Sequence, residues 1–190
     1  MKKLKKDLLG WLCLIFVFII IFSVYADIQT PNAPSPAIIN EGSKAKAPTE
    51  LHPIVKDKME QLKEQAAKKQ IKIVITDHLR TMKEQNMLYQ KGRSASGQVV
   101  TYAKAGESYH NYGLAIDFAL KNTNGDVIWD MEYDGNQNGK SDWLEVVALA
   151  KELGFTWGGD WKQFKDYPHL QMDFGLSIED LQQGKRPGNT

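Results

Sequence analysis

The sequence predicts an α+β fold, a small and mostly antiparallel sheet flanked by helices. Three observations carry this. Segments of period two and segments of period 3.6 both occur along the chain. They do not alternate as a regular strand–helix–strand repeat, which argues against a parallel, doubly wound sheet. The clearest strand-like run, Leu114 to Leu120, sends Leu114, Ile116, Phe118 and Leu120 to one side and Ala115, Asp117 and Ala119 to the other. A carboxylate between two alanines leaves room above itself, as a ligand-binding face would.

Residues 1–7 are basic and residues 8–26 carry no charge, the pattern of an export segment. Val24-Tyr25-Ala26 offers a cleavage site that would release the protein. The run also approaches the ~20 residues of a membrane span, so an uncleaved anchor competes with cleavage. Residues 27–50, spaced by Pro31, Pro34, Pro36 and Pro48, read as an extended linker. The globular domain is predicted over 51–190. Pro53 suits the first turn of a helix whose apolar stripe is Ile54, Val55, Met59, Leu62 and Ala66. Ile71 to Thr76 alternates as a strand. Thr81 and Glu84 form a capping box for a helix that stops at Gly92. A short strand is expected around Val99–Ala103 and another over Asp126–Trp129. Asp142–Leu153 reads as a helix that Asp142 and Glu145 can cap and Gly154 closes. Phe155–Trp157 and His169–Met172 are further strands, and Ser177–Gln183 is a last short helix.

The charge balance excludes one class of partner. The first seven residues hold +3 of a formal net charge of +1, leaving −2 on residues 8–190. A nucleic-acid surface needs clustered basic charge. Cysteine use excludes another chemistry: Cys13 stands alone inside the apolar run, so neither an intrachain disulfide nor a thiolate metal site is available.

His110 and Asp117 are seven positions apart, with Gly113 between them. Downstream, Asp166-Tyr167-Pro168-His169 holds a second carboxylate and imidazole. Pro168 biases Tyr167 towards an extended backbone, so this pair is not the helical zinc motif. His169 and Gln171 share a strand face. Two histidines and an aspartate suit a catalytic zinc that keeps one position for water. His110, Asp117 and His169 are therefore the expected ligands, and Asp166 the expected general base. Arg80, just beyond the first predicted strand, is the candidate for the positive group beside a developing oxyanion. His52 and His78 are read as ordinary surface or core residues, with His78 near enough to Arg80 to line a cleft. Among Trp129, Tyr133, Trp143, Trp157, Trp161 and Tyr167, core packing and substrate stacking are both open.

A second constellation spans Asp134 to Glu145 and fits the calcium-loop template. Asp134, Asn136, Asn138 and Asp142 would supply side-chain oxygens or water contacts, Lys140 its carbonyl, and Glu145 the closing carboxylate. The preceding element is strand-like, so a full EF-hand is not predicted. A turn-rich loop leading into a capped helix explains the same residues without calcium.

The ordered set Ser108-Tyr109-His110, Gly113, Ala115, Asp117 and Asp166-x-x-His169 resembles the D-alanyl-D-alanine-carboxypeptidase-like zinc peptidases, the VanX and VanY group. Gly106–Leu120, Trp129–Glu145 and Trp157–Leu170 are most similar to its CwlK-like L-alanyl-D-glutamate endopeptidases and related phage endolysins. The resemblance covers about Leu51 to Leu170. It implies the zinc D-Ala-D-Ala-peptidase/hedgehog-like fold and zinc on His110, Asp117 and His169. It also implies Asp166 as base, Arg80 on the scissile carbonyl, and peptidoglycan stem peptides as substrate. The stretch from Phe174-Gly175-Leu176-Ser177-Ile178 onward looks like the phage enzymes. Asp77-His78 stands where the pattern carries a smaller or acidic pair. A D-alanyl-D-alanine carboxypeptidase or dipeptidase on the same fold is the alternative activity, and a non-catalytic wall-binding module the alternative class. Every version places the domain outside the cytoplasm, facing the wall, secreted or anchored to the membrane by residues 8–26.

Overall fold

Local signals in the chain become elements where a neighbour completes them. The structure, a computed structural model, describes residues 38–40 and 46–188. The predicted export segment, Cys13 and most of the 27–50 linker lie outside the described residues. Among the described residues no helix is long and apolar enough to cross a membrane.

A short strand, β1 (Ile38–Asn40), falls in the stretch where the sequence predicts no strand. Helix α1 (Pro53–Lys68) has Pro53 in its first turn and buries Val55, Met59, Leu62 and Ala66. Ile54, expected on the same stripe, is half-buried. Strand β2 (Lys72–Asp77) follows, and then helix α2 (Met82–Gln90), opened by the predicted capping box of Thr81 and Glu84. No strand forms around Val99–Ala103. Val99, Val100 and Tyr102 are 43%, 51% and 65% exposed there. Strand propensity without a neighbouring strand or an apolar surface does not make a strand.

Strand β3 (Ala115–Lys121) is the centre of the sheet. Leu114, Ile116, Phe118 and Leu120 are buried as the alternation predicts. Each contributes roughly 1.5–3 kcal/mol relative to exposure. Strand β4 (Val127–Ile128) is shorter than the predicted 126–129 stretch. Helix α3 (Asp142–Glu152) differs at its start: the cap is Ser141, whose side chain accepts from Leu144 N–H. Asp142 is instead the first helical residue, and its carboxylate turns back to accept from Gly135 N–H at 3.0 Å. Glu145 pairs with Lys69 Nζ at 3.1 Å and caps nothing. Strands β5 (Thr156–Trp157) and β6 (His169–Gln171), helix α4 (Ile178–Gln182) and strand β7 (Lys185–Pro187) complete the chain.

Strands β2, β3, β6 and β5 lie in that order, β4 pairs with the end of β3, and β1 pairs with β7. Every pairing between these strands is antiparallel. Helices α1 and α3 pack on each other, and Phe118 of β3 meets Trp143 of α3 at a ring separation of 4.6 Å. One side of β3 is thereby closed by core. Asp117, on the other side, is half-buried between the fully buried Ala115 and Ala119.

Candidate metal centre

Sheet register brings two of the predicted ligands together. Asp117 of β3 and His169 of β6 are direct cross-strand partners. The third, His110, comes from a 3-10 turn over Tyr109–Tyr112 that ends on Gly113 in the left-handed conformation. Gly113 is required twice over. Its φ is +68°, and a Cβ there would lie 2.6 Å from Glu50 O.

His110 Nε2 lies 3.2 Å from Asp117 Oδ1 and 3.2 Å from His169 Nδ1, and the last two atoms are 3.3 Å apart. A tetrahedral shell with zinc–ligand bonds of about 2.0–2.1 Å has edges of about 3.3–3.4 Å. The triangle matches one face of such a shell. The opposite ring nitrogens are also committed. His110 Nδ1 donates to His78 O at 2.6 Å, and His169 Nε2 donates to Gln171 Oε1 at 3.0 Å. Both facing nitrogens are left as lone pairs, because the hydrogen bonds on the far side of each ring fix the tautomer that can bind a metal. Two imidazole lone pairs and a carboxylate oxygen repel one another unless a cation or a proton sits between them. The proton is a real competitor. Burial opposes charge on His169, but the Asp117 carboxylate lifts its imidazole above the ordinary value. Burial likewise opposes charge on Asp117, yet the two imidazoles hold its carboxyl well below the usual range. The residues fit a divalent ion, and among the described residues this is the group of side chains that could hold one.

The triangle lies on the wall of a cleft of about 870 Å³, which Arg80 and Asp166 also line. Asp166 is set by a tight turn: its N–H donates to Gly158 O at 3.1 Å, and its carbonyl accepts from His169 N–H at 3.2 Å. A Cβ on Gly158 would come within 2.4 Å of Asp166 O, so no side chain fits there. Burial raises the Asp166 carboxyl above its ordinary value, and the negative charge of Asp117 adds to the rise. Arg80 Nη2 stands 3.7 Å from Asp117 Oδ2 and 2.5 Å from Asp77 Oδ2. Asp77 reaches it through a bulge: the pairing of β2 with β3 shifts between Ile75 and Asp77, leaving Thr76 as the extra residue.

Other sequence expectations resolve in different ways. Trp143 and Trp157 are core, Trp161 lines the cleft, and Trp129 and Tyr167 are exposed. His78 contributes its backbone carbonyl while its ring is exposed, and His52 Nε2 bonds Gly188 O. Tyr102 and Phe164, absent from the predicted site, meet edge to face at 5.3 Å and line the cleft.

The 134–145 loop is not a second converging cluster. Asp134 accepts from Asn138 N–H and Gly139 N–H, and Asn136 and Asn138 turn their amide nitrogens to Glu145 Oε2. Asn138 Oδ1 accepts from Lys140 N–H. Asp142 Oδ1 is buried without a partner among the described residues.

A family model described as D-alanyl-D-alanine carboxypeptidase matches residues 101–172. The peptidoglycan L-alanyl-D-glutamate endopeptidase CwlK of Bacillus subtilis (strain 168) is 67% identical over 125 residues, 66% of this chain and 75% of the relative. The L-alanyl-D-glutamate peptidase of Listeria phage A118 is 31% identical over 121 residues, 63% of this chain and 37% of the phage protein. The crystal structure of the Serratia marcescens L-Ala D-Glu endopeptidase ChiX superposes with a TM-score of 0.38 at 22% identity, covering 70% of this chain and 93% of that one.

Proposed function

The chain belongs to the D-alanyl-D-alanine carboxypeptidase-type peptidases, in the branch of the L-alanyl-D-glutamate endopeptidase CwlK, and from this we propose that it cleaves the L-alanyl–D-glutamate bond of peptidoglycan stem peptides. The observation that supports hydrolysis most is the open triangle of donor atoms with Asp166 and Arg80 on the same cleft. Zinc, held by His110, Asp117 and His169, would supply Lewis acidity and a water that ionises near neutral pH.

The remaining steps fall to side chains. Asp166 takes the proton of the attacking water and returns it to the leaving amine. Its raised proton affinity suits a carboxylate that must hold a proton between the two transfers. Arg80 donates to the carbonyl oxygen as that oxygen gains charge. The substrate lies outside the cytoplasm, and residues 8–26 are the segment that takes the domain there, as a cleaved signal or as a membrane anchor.

Incubating the zinc-loaded protein with purified muropeptides and identifying the products by mass spectrometry tests this. A new D-glutamyl amino terminus is the expected result. Release of D-alanine would replace it with the carboxypeptidase alternative, and binding without any cleavage would leave a wall-binding module.

We also propose calcium as a second cation, in the 134–145 loop. The support is Asp142 Oδ1, a buried carboxylate oxygen with no partner among the described residues, in the same loop as Asp134, Asn136, Asn138, Lys140 and Glu145. A rise in melting temperature on calcium titration is expected. No shift at millimolar calcium would remove this reading.

A further inference from the structure

Helix α2 buries one residue, and that residue is polar. Gln85 is fully enclosed, while Met82 and Met87 of the same helix are exposed. A buried amide persists where its donors and acceptors are matched. Gln85 Oε1 accepts from Arg80 Nη1 at 2.7 Å, and Gln85 Nε2 donates to Ala103 O at 2.7 Å.

The start of the helix explains the placement. Thr81 is the cap and Glu84 completes the capping box. Arg80 is therefore the residue before the cap, and Gln85 is the fourth helical residue. Many helices carry an apolar pair at these two positions, which fixes the angle at which the chain enters. Here the pair is polar, and the side chain it fixes faces the cleft.

A guanidinium has five N–H bonds. Asp77 Oδ2 accepts from Nε and Nη2, and Gln85 accepts from Nη1. One N–H on each Nη remains without a hydrogen-bond partner, with Asp117 Oδ2 3.7 Å from Nη2, and this pair is able to meet an oxygen in the cleft. Ala103, at the other end of the amide, lines that cleft beside Val100, Thr101 and Tyr102.

We infer that Gln85 is a positioning residue for the reaction, holding Arg80 with two N–H bonds free and tying that pose to the cleft wall at Ala103. This rests on the role of Arg80 proposed above. Gln85→Met keeps the length of the side chain and removes both hydrogen bonds. In the purified full-length protein it lowers kcat by about 100-fold, the scale of a small misplacement of a reacting group, with KM and bound zinc little changed. Gln85→Glu restores the acceptor for Arg80 and recovers most of that loss. In an Arg80→Ala background, Gln85→Met causes no further loss of kcat, because the two act as one unit.

A spectroscopic readout needs no substrate. With labelled arginine, the guanidinium N–H resonances of Arg80 are sharp and slow to exchange in the unsubstituted chain, and broaden in Gln85→Met. Unchanged Arg80 resonances, or losses that multiply in the double variant, would overturn the inference. A protein that leaves every wall peptide intact yet shows the resonance change would overturn the substrate assignment alone.

Discussion

Two stretches of this chain carry metal-binding patterns, and they differ in what supports them. The His110, Asp117 and His169 donors are 59 positions apart at the extremes, on two strands and a turn, yet their atoms converge within 3.3 Å. The 134–145 loop holds its donors within twelve consecutive positions, and its oxygens are mostly engaged by neighbouring N–H groups. Sheet register and the turn that ends at Gly113 bring the first set together from distant parts of the chain. The loop is stabilised by local Asx-type bonds that a cation would have to replace. Sequence proximity is therefore the poorer guide to converging donors.

The largest expected effect breaks the first region outright. Asp117→Ala removes one corner of the triangle, and bound zinc and turnover both fall to background, by metal analysis and muropeptide assay. Asp166→Ala leaves the triangle intact. It should retain zinc and lower kcat by about 10²–10⁴-fold, the range of a lost general base. A pure binding module would be unaffected. Gly113→Ala attacks the turn under His110 and should cost about 2 kcal/mol or more in urea unfolding, since a left-handed backbone alone costs about 1–2 kcal/mol.

A smaller effect is a reversal of pH dependence. Without metal, His169 is raised by Asp117. The stability this contributes is complete below the ordinary histidine value of about 6.5 and fades as pH rises through the elevated one. Zinc needs the unprotonated ring, so with zinc present stability instead falls as pH drops through that range. Melting curves against pH, with and without zinc, should slope in opposite directions. The smallest effect belongs to the loop: calcium raises the melting temperature by a few degrees, and Asp142→Asn abolishes the rise.

The features legible in the sequence were those with a pattern of their own. Alternation from Leu114 to Leu120 gave β3 and the side on which Asp117 stands. The Thr81–Glu84 box gave the start of α2, and Pro168 placed His169 on an extended segment. What escaped depended on partners far along the chain or on backbone atoms. Gln85 looks like any polar residue on a helix surface until Arg80 and Ala103 enclose it. His78 acts through its carbonyl, which no side-chain pattern reveals. The bulge at Thr76 exists because β3 lies opposite. Ser141 and Asp142 are adjacent and equally able to cap, and the choice fell to Ser141 because Met131 O takes its hydroxyl at 2.6 Å while Gly135 takes the carboxylate.

The pairing of Asp117 with His169 on adjacent strands has a consequence for how the chain reaches its native state. If β6 slid by one position, Leu170 would face Asp117, and the imidazole would swing to the greasy side of the sheet. That single error would break the donor triangle and strand a leucine in the cleft at the same time. The donor triangle and the hydrophobic core thus proofread the same alignment, and a chain that brings the three donors together has already certified its own threading.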